Sequence, residues 1–304
     1  MSTTRRLAVA AALLTACAAG TATPAAREFD GKQALAHVVT QVGFGPRIPG
    51  TPGHARAAAW IDSMSRGLAD TVVTQRWWHT TAKGDSVEMI NIMARINPAA
   101  TDRILYLAHW DTRPHASNDP KDTVSAVPGA NDGGSGVAIL LGVMDALKKS
   151  RPTVGVDLLF VDGEDYGSFG PPRVDVLVGA EYYARHQLAP RPMFAVLFDM
   201  VGGKDLVIPK EQFSQVAAAE VVDRVWDIAE AMGYGQIFTR QSHSMIDDHV
   251  PLIDPGGIRT IDLITDLTRY PAWHTTGDTP DKLSVASLEA VGNVAVAVIR
   301  GAKK

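Results

Sequence analysis

The sequence predicts an α/β protein, a three-layer α/β/α sandwich with a mixed, mostly parallel central sheet. Two observations predict it: four short apolar stretches rich in β-branched residues, and amphipathic stretches of helical period between them. Strands that alternate with helices along a chain form a parallel sheet with helices on both faces. The 304 residues, of which 46% are hydrophobic, are enough to bury such a core.

The four predicted strands are the apolar stretches at residues 104–108, 156–161, 195–198 and 260–264. Helices are predicted at residues 31–42, 216–232 and 285–299, the last with Ser284 as its N-cap. A further helix is predicted by apolar residues spaced three and four apart, namely Val137, Leu140, Leu141, Met144 and Leu147. The segment GFGPRIPGTPGH, residues 43–54, is dense in Gly and Pro, so a surface loop is predicted there.

The first residues have the pattern of an export signal. Arg5 and Arg6 precede an apolar run at residues 7–14, which is too short to span a bilayer as a mature helix. Cys17 follows Leu-Thr-Ala, which resembles the lipobox of bacterial lipoproteins, in which the cysteine is lipidated and becomes the N-terminus. Ordinary cleavage slightly later, in the Ala/Thr-rich stretch, is the alternative. The protein is therefore expected to be exported, as a periplasmic or cell-envelope lipoprotein or in a soluble form.

The export signal also sets the expected domain organisation. Residues 1–17 are expected to be that signal, residues 18–28 a tether, and residues 29–304 a single catalytic domain. The net charge of −4 is scattered, and no cluster of Lys and Arg could follow a phosphate backbone. Nucleic acid is therefore not an expected partner, and a membrane is expected only through a lipid anchor. The oligomeric state is left open.

Side chains that can bind a metal come after the predicted strands. His109 and Asp111 come after the first strand, where alternation points both to one side. Asp132 lies in the Gly-rich turn GANDGGSG, before a helix expected to begin near Ser135. Taken singly, these residues are also explained as a histidine bonded to a local carboxylate and as a helix-capping aspartate.

Two adjacent carboxylates, Glu164 and Asp165, come after the second strand, and Asp199 comes after the third. Adjacent like charges repel, whereas a metal ion beside them removes that cost and allows one carboxylate to bind it while the other transfers protons. A plain acidic turn is the alternative. Two later segments, SMIDDHVPL and RYPAWHTTGDTP, add Asp247 and His274.

The combined set of His, Asp and Glu side chains at successive strand ends favours a metal site over several unrelated structural residues. In open α/β sheets, functional groups collect beyond the carboxyl ends of the strands. Carboxylate and imidazole groups together suit Zn²⁺. The sequence has neither a G-x-S-x-G motif nor a usable cysteine nucleophile, which disfavours a Ser-His-Asp hydrolase. A zinc-dependent catalytic domain is therefore predicted.

The motifs HWDTRP, GANDGGSG, VDGEDYG, LFDMVGG, DDHVPL and AWHTTGDT, in this order and spacing, resemble the zinc aminopeptidase-like peptidase family. Within it, the chain is most similar to the bacterial glutaminyl-peptide cyclotransferases, or glutaminyl cyclases. The resemblance runs from residue 43 to the C-terminal helix. Aminopeptidases of the family usually have Ser-Asp-His and Tyr-His where this chain has Asp247-Asp248-His249 and Trp273-His274. The resemblance therefore implies a zinc aminopeptidase-like fold and the cyclase branch.

The resemblance also implies roles for particular residues. Asp132, Asp165 and His274 are implied as zinc ligands, and Glu164 as the general acid/base. Asp247 is implied in the proton and hydrogen-bond network around the leaving amide.

Four further residues have implied places. Trp273 is implied as a wall of the substrate pocket, and Asp262 stands where animal cyclases have a histidine of that pocket. His109 and Asp199 match the second metal position of two-zinc aminopeptidases but are also retained in one-zinc cyclases, so they do not decide the number of ions. One zinc ion is expected in preference to two. Animal cyclases also have a tryptophan shortly after the acidic pair, where this chain has a Gly/Ser/Phe stretch.

The implied activity is the zinc-assisted conversion of the N-terminal glutamine of peptides or proteins to pyroglutamate, with release of ammonia. A zinc metalloaminopeptidase, in which Glu164 activates a water molecule, is the alternative enzyme. A third hypothesis is a binding module that recognises peptide N-termini without catalysis. The presence of Glu164 together with every candidate ligand argues against that module.

Overall fold

The computed structural model describes residues 27–302 of the chain. The helices in this part are α1 (Gly31–Gly43), α2 (Pro52–Leu68), α3 (Gly134–Lys149), α4 (Val178–Arg185), α5 (Gln212–Ala217), α6 (Ala219–Ala231), α7 (His249–Ile253) and α8 (Val285–Arg300). The strands are β1 (Thr71–Thr80), β2 (Ser86–Ile96), β3 (Arg103–His109), β4 (Gly155–Val161), β5 (Phe194–Asp199), β6 (Ile208–Glu211), β7 (Phe238–His243) and β8 (Thr260–Ile264). The predicted export signal and Cys17 lie outside the described residues.

Among the described residues, six strands form one sheet in the order β1-β2-β4-β3-β5-β8, and β6 and β7 pair separately. The four predicted strands are confirmed as β3, β4, β5 and β8, which run parallel to one another. The hairpin of β1 and β2 was not predicted. Strand β2 of this hairpin pairs antiparallel with β4. Strand β1 is only half-buried, so its sequence mixes apolar and polar residues and lacks the continuous apolar run of a buried strand.

Helices cover both faces of the sheet and form the predicted three layers. Successive residues of β3 alternate between the faces, so Ile104 and Tyr106 pack with α1, α3 and α8, while Leu105 and Leu107 pack with α4. Both faces are apolar and buried. No helix in the described part of the chain is both long enough and apolar enough to cross a bilayer.

Two predictions of local structure, one helix and one loop, need correction. The helix predicted at 216–232 is divided at Ala218, whose φ of −153° and ψ of 51° end α5 before α6 begins. The Gly/Pro-rich segment is not a surface loop throughout, since α2 begins inside it at Pro52, with the Thr51 side chain accepting a bond from the His54 amide. Arg47 of the same segment is fully buried. The predicted N-cap Ser284 is confirmed.

Phe29, near the first described residue, packs against helices α3 and α8 on one face of the sheet. Its ring lies between Gly142 of α3 and Gly292 of α8, where a Cβ on either glycine would overlap the ring. Its amide donates to Asn293 Oδ1 at 3.1 Å. Phe29→Ala should therefore lower the free energy of unfolding by about 3–5 kcal/mol, measured by urea denaturation. Trp78→Ala, at a side chain that is 70% exposed, is the control and should change it by less than about 0.5 kcal/mol. Equal losses in both variants would contradict the packing of Phe29 between the two helices.

Candidate metal centre and catalytic pocket

Two groups of buried ligand-type side chains meet at Asp132. One group is His109, Asp132 and Asp199, and the other is Asp132, Asp165 and His274, with the ligand atoms of each within 4.8 Å of one another. His109 Nε2 lies 3.1 Å from Asp132 Oδ1 and 3.2 Å from Asp199 Oδ1. His274 Nε2 lies 3.6 Å from Asp132 Oδ2 and from Asp165 Oδ2. The two oxygens of Asp132 thus face different groups, as a bridging carboxylate would.

The second group has the features of a metal site. Asp132 Oδ2 and Asp165 Oδ2 are buried and have no hydrogen-bond partner among the described residues. Buried polar atoms are normally paired, and two bare carboxylate oxygens beside an imidazole nitrogen are stabilised by a cation. Burial lowers the pKa of His274 to about 4, so its ring is neutral at neutral pH and can bind a metal. Two carboxylates and one histidine fit zinc.

The turn before α3 places Asp132. Gly133, with a φ of 76°, sits so close to His109 that a Cβ would lie 3.0 Å from its ring carbon Cε1. The Asp278 carboxylate accepts the amides of Asn131 at 2.9 Å and Asp132 at 3.1 Å. The glycine allows the close approach that a side chain would prevent, and Asp278 fixes the turn from outside.

A turn, rather than the strand, places Glu164 and Asp165. Strand alternation does not set their directions, because β4 ends at Val161 and Gly163 adopts a φ of 70°. Both amides donate to the buried carboxylate of Asp111, at 3.1 Å each. Asp111 therefore fixes the turn that carries Glu164 and Asp165.

Glu164 is placed to move protons. It is 7% exposed, and its Oε2 lies 3.8 Å from His109 Nδ1. Burial raises the pKa of Glu164 well above its ordinary value, and the nearby carboxylates of Asp165 and Asp247 act in the same direction, although the charge on His109 opposes them. A carboxyl with a raised pKa can both accept and return a proton near neutral pH.

A cavity of about 460 Å³ opens over these residues, and Glu164, Asp247 and Trp273 line it. Asp247 is 2% exposed, and burial raises its pKa to about 7. The Trp273 ring packs beside the ring of His274, with centroids 4.2 Å apart. Phe169 of the Gly/Ser/Phe stretch also reaches the wall. The cavity thus combines an acidic floor with aromatic sides.

Asp262 is not on that wall, contrary to the expectation for the substrate pocket. Its side chain is fully buried on β8, and its Oδ2 lies 3.6 Å from His249 Nδ1. Asp262 lies two residues before Ile264, which does line the cavity, so it is on the same side of β8 but lies beneath the lining, beside His249 of α7. Each of the other predicted residues is brought to the site.

The profile of Peptidase family M28 matches residues 91–299, which is more than half of the sequence. The chain belongs to peptidase family M28. The matched residues include every ligand-type side chain of the two groups around Asp132. The buried carboxylate and histidine set therefore lies within the part of the chain that matches a known peptidase family.

Solved structures and a curated relative resemble this M28 protein. The Bacteroides thetaiotaomicron glutaminyl cyclase bound to N-acetylhistamine is 34% identical, with a TM-score of 0.87 over 90% of this chain and 99% of that one. A Zn-dependent exopeptidase from Parabacteroides distasonis is 32% identical, with a TM-score of 0.86 over 90% and 99%. The glutaminyl-peptide cyclotransferase of Bos taurus is 24% identical over 289 residues, 82% of this chain and 76% of the relative.

Two residues of this M28 protein were not singled out from sequence. Arg113 forms an ion pair with Asp165 Oδ1, and its Nε donates to Ser117 Oγ at 3.2 Å, which leaves Asp165 Oδ2 to face His274. Asp278, which fixes the Asp132 turn, also accepts the Tyr270 hydroxyl at 2.6 Å. Both lie within motifs that carry predicted ligands, HWDTRP and AWHTTGDT, and that proximity is the signal available in the sequence.

Proposed function

We propose that the protein is a glutaminyl-peptide cyclotransferase, which converts the N-terminal glutamine of peptides or proteins to pyroglutamate and releases ammonia. The observation that carries the proposal is that Glu164, Asp247 and Trp273 line one cavity beside the metal-type ligands. The Asp247-Asp248-His249 and Trp273-His274 motifs are those of the cyclase branch. The likeness to the Bacteroides thetaiotaomicron glutaminyl cyclase over 90% of the chain supports the same function.

We infer one zinc ion, held by Asp132, Asp165 and His274. Supporting this, Asp132 Oδ2 and Asp165 Oδ2 are without partners in the described structure. Asp132 Oδ1 and Asp199 Oδ1, by contrast, each lie within hydrogen-bonding distance of His109 Nε2, so these two oxygens have a partner in the described structure. When bound, the zinc ion supplies Lewis acidity to the γ-carbonyl of the substrate glutamine.

The side chains around the cavity then account for the proton movements. As the substrate α-amine forms a bond to the carbonyl carbon of the γ-carboxamide, Glu164 accepts a proton from that amine. The same carboxyl returns the proton to the γ-amide nitrogen as its bond to carbon breaks, which yields ammonia and the lactam ring. Asp247 accepts a hydrogen bond from the leaving amide. Trp273 excludes water from one side of the forming lactam ring.

A zinc metalloaminopeptidase is the second candidate. The compact group of His109, Asp132 and Asp199 favours it, since a second ion there would share Asp132 with the first. The Zn-dependent exopeptidase of Parabacteroides distasonis has a similar fold. Incubation with a Gln-initiated peptide and with the same peptide initiated by Leu separates the two. A cyclotransferase releases ammonia from the first alone, whereas an aminopeptidase releases an amino acid.

Trp273→Ala should raise KM for a Gln-initiated peptide by about tenfold or more while bound zinc stays near the wild-type level. The reason is that the ring forms an apolar wall of the cavity beside a ligand without itself offering a ligand atom. Steady-state kinetics and metal analysis check this. If the variant fails to fold, as judged by circular dichroism, the ring is structural and the assignment is wrong.

We further propose that the protein is exported and lipidated at Cys17. The support is the sequence alone: Cys17 follows Leu-Thr-Ala at the end of the apolar run. Cys17→Ser should move the protein from the membrane fraction to the soluble fraction, as judged by immunoblotting of fractionated cells. A wild-type mature N-terminus beyond Ala18, or unchanged fractionation of the variant, would contradict lipidation.

A further inference from the structure

A second cavity, of about 510 Å³, adjoins the catalytic cavity. The two share Arg113, Ser117 and Ser168 as lining residues, so they lie side by side. We call the second one the side cavity. Ile48, Pro114, Tyr166 and Val174 are among its lining residues and give it apolar surface.

The side cavity offers little charge to a ligand. Arg113 is committed to Asp165 and Ser117. Asp175 accepts bonds from His79 Nε2 at 2.8 Å and from the Ala82 amide at 3.0 Å. Because both charges already have partners, a charged ligand group there would gain little and lose its hydration.

Of the other ionisable side chains, Lys83, Asp85 and His115 are exposed. Lys83 and Asp85 carry opposite signs, and His115 Nδ1 lies 3.0 Å from the carbonyl oxygen of Val124. Tyr166 is half-buried and has the largest side chain of the lining residues. The chemistry of the side cavity therefore suits an apolar or aromatic side chain.

The position of the side cavity is fixed relative to the metal ligands. Tyr166 directly follows Asp165, whose amide is held by Asp111. Ser168 and Val174 then exchange backbone hydrogen bonds of 2.9 and 3.0 Å, which close the loop that forms one wall. The wall that includes Tyr166 is therefore continuous along the chain with the turn that carries Glu164 and Asp165.

We propose that the side cavity binds the apolar or aromatic side chain of the second or third substrate residue, and so selects which Gln-initiated chains are cyclised. This rests on the proposed cyclotransferase function. An extended peptide whose first residue occupies the catalytic cavity advances about 3.3 Å per residue, so its next side chains reach the shared boundary. The catalytic cavity recognises the glutamine, and the side cavity recognises the residue after it or the one beyond.

The experiment measures kcat/KM for ammonia release from four amidated peptides: Gln-Ala-Ala-Ala, Gln-Phe-Ala-Ala, Gln-Ala-Phe-Ala and Gln-Ala-Asp-Ala. One of the two Phe peptides should exceed the all-Ala peptide by about tenfold, which corresponds to about 1.4 kcal/mol. Tyr166→Ala and Ile48→Ala should each reduce this ratio toward one, and Tyr166→Phe should keep it. Trp78→Ala, on the exposed face of β1, is the matched control and should keep both the ratio and the activity.

The outcomes separate the two proposals. If no peptide releases ammonia, the cyclotransferase function and the inference both fail. If all four peptides react at equal rates, or the Phe preference survives Tyr166→Ala and Ile48→Ala, the side cavity is not the binding site and only the inference fails. A preference for the Asp peptide that Arg173→Ala abolishes would also overturn it, in favour of Arg173, which is exposed and lines the catalytic cavity.

Discussion

Glu164→Gln is expected to lower kcat by roughly 10² to 10⁴ and to leave bound zinc near the wild-type level. The substitution keeps the size and shape of the side chain but removes its ability to accept the amine proton. Glu164 lies near the metal-type ligands without belonging to either ligand group, and burial raises its pKa, as a proton carrier requires. Turnover of a Gln-initiated peptide and zinc stoichiometry by mass spectrometry are measured on the same preparation.

Asp165→Ala is the matched comparison, because it changes the neighbouring carboxylate in the same turn. It removes one of three ligands and should lower metal content and activity together. If Glu164→Gln lost the metal and Asp165→Ala kept it, the two roles would be reversed.

Asp132→Ala is expected to have the largest effect of any single change at the site. Its two oxygens face both ligand groups, so its loss leaves neither group with three ligands. Bound zinc should become undetectable, and activity should fall by on the order of 10³ or more, because the Lewis acid is lost. Metal analysis after dialysis, and then an attempt at reactivation with added zinc, measures both effects.

His109→Ala tests the number of bound zinc ions and is measured alongside Asp132→Ala. With one zinc ion held by Asp132, Asp165 and His274, the His109 variant should retain close to one zinc per chain. A wild-type stoichiometry near two that falls to one in His109→Ala would contradict the single-ion proposal and favour the aminopeptidase-type centre.

The parallel strands and most of the candidate ligands could be predicted because each depends on local sequence. A buried parallel strand is a continuous apolar run, and His109 and Asp199 are the last residues of β3 and β5. Since the carboxyl ends of parallel strands share one edge, residues 90 positions apart in the sequence meet at 3.2 Å.

Other parts depend on contacts between distant segments, which have no local pattern. Asp278 fixes the Asp132 turn from 146 residues away, and Arg113 pairs with Asp165 across 52 residues. The burial of Arg47 results from bonds to the carbonyls of Trp110 and Gly129, which a Gly/Pro-rich sequence cannot reveal. These residues position the ligands and do not bind the metal. The ligands are therefore easier to predict from the sequence than the residues that position them.

The proposed reaction requires that the substrate's own amine, and not water, attacks the carbonyl carbon of the glutamine γ-carboxamide. The most direct test is mass spectrometry of a Gln-initiated peptide after incubation with the zinc-loaded protein in oxygen-18 water, with Glu164→Gln as the control. Attack by the amine predicts a peptide that has lost ammonia, keeps its first residue and contains no oxygen-18. A peptide shortened by its first residue, or a glutamate-initiated product that carries oxygen-18, would show that water is the nucleophile and would contradict the cyclotransferase mechanism.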